Sequence, residues 1–428
     1  MTLNKTIKRI FTAFFAAILC VACVFGAAGC RVLTPFEWVM TTIERNYVGE
    51  FDPSICETIE DAVAQLDAYS AYYTPQQYAD VTASNAGSKS GVGISYSFVS
   101  GRGAVISVVA GNSPAWQKGI TEGDVIIAGK AGDVRTEFTS SRTVSDFIGG
   151  FETGEEFTLV LEDREVTLSK QEYRQSYTYL TTNKTAWEFI SSADGGLSSY
   201  ENASRKMSFL PDGTAYIKLS QFFGTAVEEF EVLTQKFNAM ECKSLILDLR
   251  SNGGGYVAVM QGIAGCFENA RGKVAMKAVY KNGRIDDDFD AASGKNATIS
   301  QDVTVYALAN GGTASASEAL LGALISYDVL KYENVFISDY SQEYKDWYAS
   351  AGGTVKSART YGKGIMQSSF TNRSTGAVLK LTTAKIYWPN GKCIHDVGLT
   401  PADGCRLSPA EWVVTKGDDE LKWVVNNL

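Results

Sequence analysis

Histidine is almost missing: the chain of 428 residues has one, His395. HExxH zinc proteases, C2H2 fingers and any site built on two histidines are thereby excluded. A Ser-His-Asp triad could use only His395, so the base of an enzyme with this sequence is expected to be another residue type. Proline is scarce too, at 8 residues, which argues against long disordered linkers. Basic charge is outnumbered: 39 Lys and Arg against 48 Asp and Glu give −9, and a nucleic-acid partner is not expected. The 8 cysteines form no zinc framework, and neither a metal nor a cofactor is expected. Cys20 and Cys23 have CxxC spacing, but they sit in an apolar run where metal-binding thiolates would be costly. Cys56, Cys242 and Cys266 are scattered, whereas Cys393 and Cys405 are near enough in sequence to pair.

What is present begins with an export pattern. Lys5, Lys8 and Arg9 precede an uncharged stretch, residues 10–29, long enough to span a bilayer. It ends Ala27-Ala28-Gly29-Cys30, small residues before a cysteine. That resembles a bacterial lipoprotein cleavage site with Cys30 lipidated, although Ala27 stands where a large aliphatic residue is usual. A lipoprotein, an uncleaved anchor and simple secretion all stay open. Each puts the rest of the chain outside the cytoplasm, tethered to the membrane in the first two cases.

Residues 31–87 read as a small helical region. Thr34-Pro35-Phe36-Glu37, Ser54 to Glu57 and Thr74-Pro75-Gln76-Gln77 are each a helix-start pattern. The region carries no evident chemistry. Residues 88–172 hold short β-type runs such as 93–98 and 104–109 between Gly and Asp turns. The rest, 173–428, is taken as one further region, in which strands alternate with helices from about 205. The strand at 215–219 leads to a helix at 225–240 capped by Thr225 and Glu228, then to the nearly all-apolar run 244–249. Another buried strand, 303–309, precedes a helix at 315–325. This is an α/β layer structure with parallel strands, and catalytic groups in such sheets gather beyond the carboxyl ends. Both glycine-rich turns, 252–255 and 310–312, fall there.

Ser315 lies at a strand-to-helix turn among small residues, Gly312-Thr313-Ala314-Ser315-Ala316. A nucleophile needs that exposure, and the helix N-terminus would stabilise developing negative charge. An ordinary N-cap serine has the same pattern. Gly253-Gly254-Gly255 offers backbone N–H groups that could join that of Ala316 in an oxyanion hole, or is simply a tight turn. Lys363, flanked by Gly362 and Gly364, could pack against another backbone, and burial could lower its pKa enough for a general base. Gln367, four residues on, would lie on the same side and could orient the amine. A solvated surface lysine is the alternative.

Together these segments resemble the carboxyl-terminal processing peptidases, family S41 serine peptidases with a PDZ domain. The resemblance rests on 66–75, LDAYSAYYTP; on Gly91-Val92-Gly93-Ile94; and on Ser113-Pro114-Ala115 to Gly119-Ile120 with Glu122-Gly123-Asp124-Val125-Ile126. It also rests on 247–255, LDLRSNGGG, where Gly253 replaces the usual proline; on 313–318; on 379–385; and on Ile394-His395. It implies a mixed αβ peptidase core with a parallel-rich sheet, an inserted β-rich PDZ domain at 88–172 and the N-terminal helices. It implies Ser315 as nucleophile, Lys363 as base, Gln367 as its orienting partner, and Gly254 and Ala316 as oxyanion donors, with the choice within the glycine triplet open. Backbone N–H groups of Gly91, Val92, Gly93 and Ile94 would receive a substrate C-terminal carboxylate. His395 would be structural. The implied activity is an exported endopeptidase cutting tail-exposed or unfolded envelope proteins, without a cofactor. Its partners would be protein or peptide substrates with free C-termini. A catalytically silent peptide-binding scaffold is the rival reading, and a homodimer through the N-terminal helices is open. Ser315 and Lys363 are 48 residues apart, roughly twice the family's usual gap, with an apparent insertion at about 331–353.

Overall fold

A computed structural model describes residues 33–428, apart from 193, 195, 293, 295, 296, 341, 351, 353–356 and 409–417. The export segment, with Cys20, Cys23 and Cys30, lies outside the described residues. Among the described residues no helix is long and apolar enough to cross a membrane.

Apolar runs bounded by turns become the central strands. Thr214–Leu219, Ser244–Asp248, Thr304–Ala309, Leu330–Ser338 and Arg406–Leu407 lie side by side and parallel inside a ten-stranded sheet. Both faces are covered, which is why these strands do not alternate with polar residues. Leu245 and Leu247 pack beneath the helices Ala226–Ala239, Val257–Ala264 and Ala316–Ser326. Ile246, Tyr216 and Leu308 point the other way, onto the helix Asp419–Val425. Each such side chain taken fully out of water contributes about 1.5–3 kcal/mol. The expected helix near 225–240 forms, but Thr225 does not cap it through its side chain. The Thr225 hydroxyl instead donates to buried Glu229 at 2.7 Å. The stretch expected to be extra, about 331–353, includes most of the sheet strand Leu330–Ser338.

Residues 94–169 build a separate six-stranded sheet with its own core around Ile106, Ile126 and Leu159. Two strands carry the chain into and out of it, Ser88–Gly91 and Gln171–Arg174. They pair antiparallel with each other and belong to the ten-stranded sheet. Gly91 ends the incoming strand opposite Gln171. Val92 and Gly93 accept hydrogen bonds from Ala115 (3.0 Å) and Ala110 (2.8 Å), and Ile94 opens the separate sheet.

The N-terminal helices sit on a third, five-stranded sheet. Thr34 and Glu37 form the expected capping box of the helix Pro35–Asn46, as do Thr74 and Gln77 for Pro75–Asn85. The middle box is made by Thr58 and Asp61, four residues after Ser54 and Glu57, because the chain first makes a 3-10 turn at Pro53–Ile55. Val39, Ile43 and Tyr47 pack on Leu379 and Leu381 of the strand Val378–Tyr387. Ala71–Tyr73 pairs antiparallel with that strand, Ala71 opposite Lys380, and on its other side the same strand pairs with Ile365–Thr371. The loop just before Ala71 is thereby brought to the start of the strand that comes after Lys363.

Candidate active site

The strand Thr304–Ala309 ends in a turn wound around Asn310. Its side-chain oxygen accepts from Gly312 N (2.9 Å) and from Ser251 N (2.8 Å) in the neighbouring turn. Thr313 Oγ1 donates to Leu249 O at 2.8 Å. Buried Asn252 completes the join: its carbonyl accepts from Ala314 N (3.0 Å) and Ser317 Oγ (2.9 Å), and its amide donates to Leu219 O (2.8 Å). Three adjacent strand ends are thus fused, and Ser315 sits at their junction, immediately before the helix Ala316–Ser326. Its backbone has φ +58° and ψ −116°, a sparsely populated region that costs a non-glycine residue about 1–3 kcal/mol. A strained serine at a strand-to-helix turn presents its hydroxyl outward.

Gly254 approaches this serine closely. A Cβ there would lie 2.8 Å from Ser315 Cβ and 2.9 Å from Ala316 N, and its φ is +97°. Its N–H, however, donates to Asn252 Oδ1 at 2.9 Å. The amide expected to serve as an oxyanion donor is thus held by Asn252 in this structure, and the residue also allows close approach to Ser315. Ala316 N is the first amide of the helix, where no intrahelical acceptor exists.

Glu318, in the first turn of that helix, is 1% exposed. Its carboxylate accepts from Ser315 N (3.0 Å), Thr360 Oγ1 (2.5 Å), Gly362 N (2.8 Å) and Lys363 N (2.9 Å). Burial raises its pKa, and the four donors oppose that rise. One carboxylate therefore joins the serine turn to the lysine loop. Sequence reading missed this role; the signal available was an acid three residues after Ser315 in an otherwise apolar helix start.

Lys363 lies between two glycines that meet the 395–398 loop. A Cβ on Gly364 would be 2.7 Å from His395 N, and one on Gly362 would be 2.9 Å from Gly398 N. His395 is thus packed against the lysine loop, with its Nδ1 buried and unbonded. Burial, then the nearby Lys380, lowers the Lys363 amine to about 8, with Asp67 and Glu318 acting in the opposite direction. Its Nζ lies 4.3 Å from the centre of the Tyr69 ring, a cation–π contact. No hydrogen bond joins it to Ser315 or Gln367. Gln367 Nε2 donates to Thr382 Oγ1 at 3.1 Å, and a β-bulge at Met366/Gln367 interrupts the alternation that would align Gln367 with Lys363. The N-terminal region, read as purely structural, therefore reaches the site through Tyr69.

A second buried cluster closes the sheet end behind the turn. Burial opposes the charge on Asp248, but Arg250 and Lys218 overcome it and hold the carboxyl below its usual range. Arg250 also pairs with Asp418 and Glu420 at 2.5 and 3.0 Å, tying the last helix to this strand end. The described cysteines, Cys393 and Cys405 included, are free thiols.

The sequence profile described as "Peptidase family S41" matches residues 213–331. These residues form a core similar to the S41 peptidases. That core contains the Asp248 strand, the glycine turn and the Ser315 turn. The chain is also 26% identical over 353 residues to a chloroplastic C-terminal processing peptidase of Tetradesmus obliquus, covering 80% of this chain and 66% of the relative. It is 26% identical over 346 residues to a carboxyl-terminal-processing protease of Synechocystis, covering 80% and 69%. A solved structure assigned to the S41 proteases of Bacteroides fragilis shares the fold. Its TM-score is 0.57 at 15% identity, covering 92% of this chain and 96% of that one.

Proposed function

We propose that the chain is an exported, membrane-tethered serine endopeptidase acting through Ser315 and Lys363. What carries the reading is the Glu318 carboxylate, which binds the backbone N–H of both residues across the intervening sequence. At pH 7 an amine of pKa about 8 is neutral in about one molecule in ten, against about three in ten thousand for the ordinary 10.5. The neutral amine takes the proton of Ser315 Oγ as that oxygen bonds to the peptide carbonyl carbon. The oxyanion is met by the N–H of Ala316 and by one from the glycine triplet 253–255, Gly254 lying nearest Ser315. As the C–N bond breaks, the Lys363 ammonium returns its proton to the leaving amine. Water, deprotonated by the same lysine, then bonds to the acyl carbon, and as the C–Oγ bond breaks the Lys363 ammonium returns that proton to Ser315 Oγ. For these steps Lys363 swings from Tyr69 towards Ser315, and Gln367 turns its amide oxygen to the amine.

The separate sheet at 94–169 acts as a PDZ domain in this proposal. The 91–94 segment, at its junction with the core, would take up the C-terminus of a protein or peptide substrate. Tethering would come from residues 1–30, through lipid on Cys30 or an uncleaved anchor. The test is digestion of casein or a tailed peptide by the wild type, Ser315→Ala and Lys363→Ala. Loss of cleavage by at least about a thousandfold in both variants is expected. Undiminished cleavage in either would sink the mechanism, and an intact but tightly bound tail with the wild type would leave a peptide-binding scaffold.

A further inference from the structure

We infer that Tyr69 is a positioning residue for the proposed base, its ring face holding the Lys363 ammonium whenever that group carries its proton. This rests on the Ser315–Lys363 reading above, but its structural basis is independent. Among the described residues Lys363 Nζ has no hydrogen-bonded partner, and it lies 4.3 Å from the centre of the Tyr69 ring. Two hydrogen bonds hold the loop that carries Tyr69, and a third holds the ring hydroxyl. Tyr69 N donates to Asp67 Oδ1 at 3.0 Å, Asp67 N donates to Tyr47 OH at 2.8 Å, and the Tyr69 and Tyr361 hydroxyls lie 2.7 Å apart. The first two links run back to the helix Pro35–Asn46, and the third returns to the lysine loop.

The chemistry comes from the quadrupole of the ring. An aromatic face attracts an ammonium and is indifferent to a neutral amine, so it favours the protonated lysine by about 0.5–1 kcal/mol or more. Burial, together with Lys380, pushes the other way, while Asp67 and Glu318 favour the charge. Tyr69 does not compete as a base. Burial, the Tyr361 hydrogen bond, and the charges of Asp67 and Asp396 all push its hydroxyl far upward, and it stays neutral. The ring is therefore a resting place that Lys363 leaves when it gives up its proton and returns to when it takes one.

The test reads the lysine directly, without relying on cleavage. Competitive amine labelling of Lys363, mapped by mass spectrometry across pH, gives its titration midpoint. Tyr69→Phe keeps the ring and should keep the midpoint within about 0.2 unit. Tyr69→Leu and Tyr69→Met keep a buried apolar side chain without a ring, and should lower it by about half a unit. The acid limb of kcat/KM should move with it. A midpoint in Leu and Met variants equal to wild type would overturn the inference, and Met stands in if Leu fails to fold. If Ser315→Ala or Lys363→Ala left cleavage intact while the midpoints shifted as stated, the peptidase mechanism would fall and the positioning role would stand.

Discussion

The two halves of the proposed dyad are held in opposite ways. Ser315 is over-determined: Asn252, Asn310, Thr313 and Glu318 fasten the turn on every side, tightly enough to hold a φ of +58°. Among the described residues Lys363 is hydrogen-bonded through its backbone, and its ammonium meets an aromatic face and no hydrogen-bonding partner. The difference matches the tasks. A nucleophile reacts from one position and gains from rigidity. A base that serves serine, leaving group and water in turn needs a fixed root and a movable tip.

Glu318 is where the comparison breaks most readily. Glu318→Ala leaves four donors without their acceptor, and we expect a stability loss of about 3–5 kcal/mol with at least about a hundredfold loss of cleavage. Glu318→Gln keeps the shape but turns an NH2 towards a donor, and should cost about 1–3 kcal/mol. Chemical denaturation alongside a digest separates the two effects; a fully active, stable Gln variant would show that the shared carboxylate is not needed. Next in size is Gly254→Ala. A methyl group at φ +97° and 2.8 Å from Ser315 Cβ should push the serine turn out of register. We expect a stability cost of about 2 kcal/mol, and cleavage lost more completely than the unfolded fraction explains.

The smallest effect comes from a control carboxylate. Glu229, buried like Glu318, accepts from the N–H groups of Tyr177 and Thr178 (both 2.8 Å) but is not part of the serine–lysine site. Burial raises its pKa to about 7 despite those donors and the hydroxyls of Thr225 and Thr178. The folded protein therefore holds this proton more tightly than the unfolded chain. Its contribution to stability is full below about 4.5 and declines as pH rises through about 7. Glu229→Gln should flatten that decline in a denaturation series while leaving kcat at a fixed pH unchanged, so a fall in kcat would show that buried carboxylates here act on chemistry wherever they sit.

Much of this was legible in local pattern. The apolar runs at 244–249 and 303–309 marked the buried strands, and the turns after them marked where chemistry gathers. Capping signals found two N-terminal helices and misplaced the third, because Ser54-to-Glu57 and Thr58-to-Asp61 both satisfy the pattern and only the 3-10 turn at Pro53–Ile55, which takes up the start of the first, decides. The Gly254 amide could not be read, since its partner is the side chain of Asn252, two residues away in an irregular turn. Nor could Tyr69. Its neighbour is Lys363, and the two meet only because the strand at Ala71–Tyr73 pairs with Val378–Tyr387. Distant pairing of this kind leaves no local periodicity.

The strands Ser88–Gly91 and Gln171–Arg174 have a further consequence. They are hydrogen-bonded to each other, with Gly91 opposite Gln171. In connectivity terms they are the two arms of a hairpin, and the whole of 92–170 stands in for its turn. An insertion with this geometry is a cassette. Its two attachment points are already as close as a tight turn requires, so a replacement of any length can be spliced there without asking the ten-stranded sheet to change its strand order.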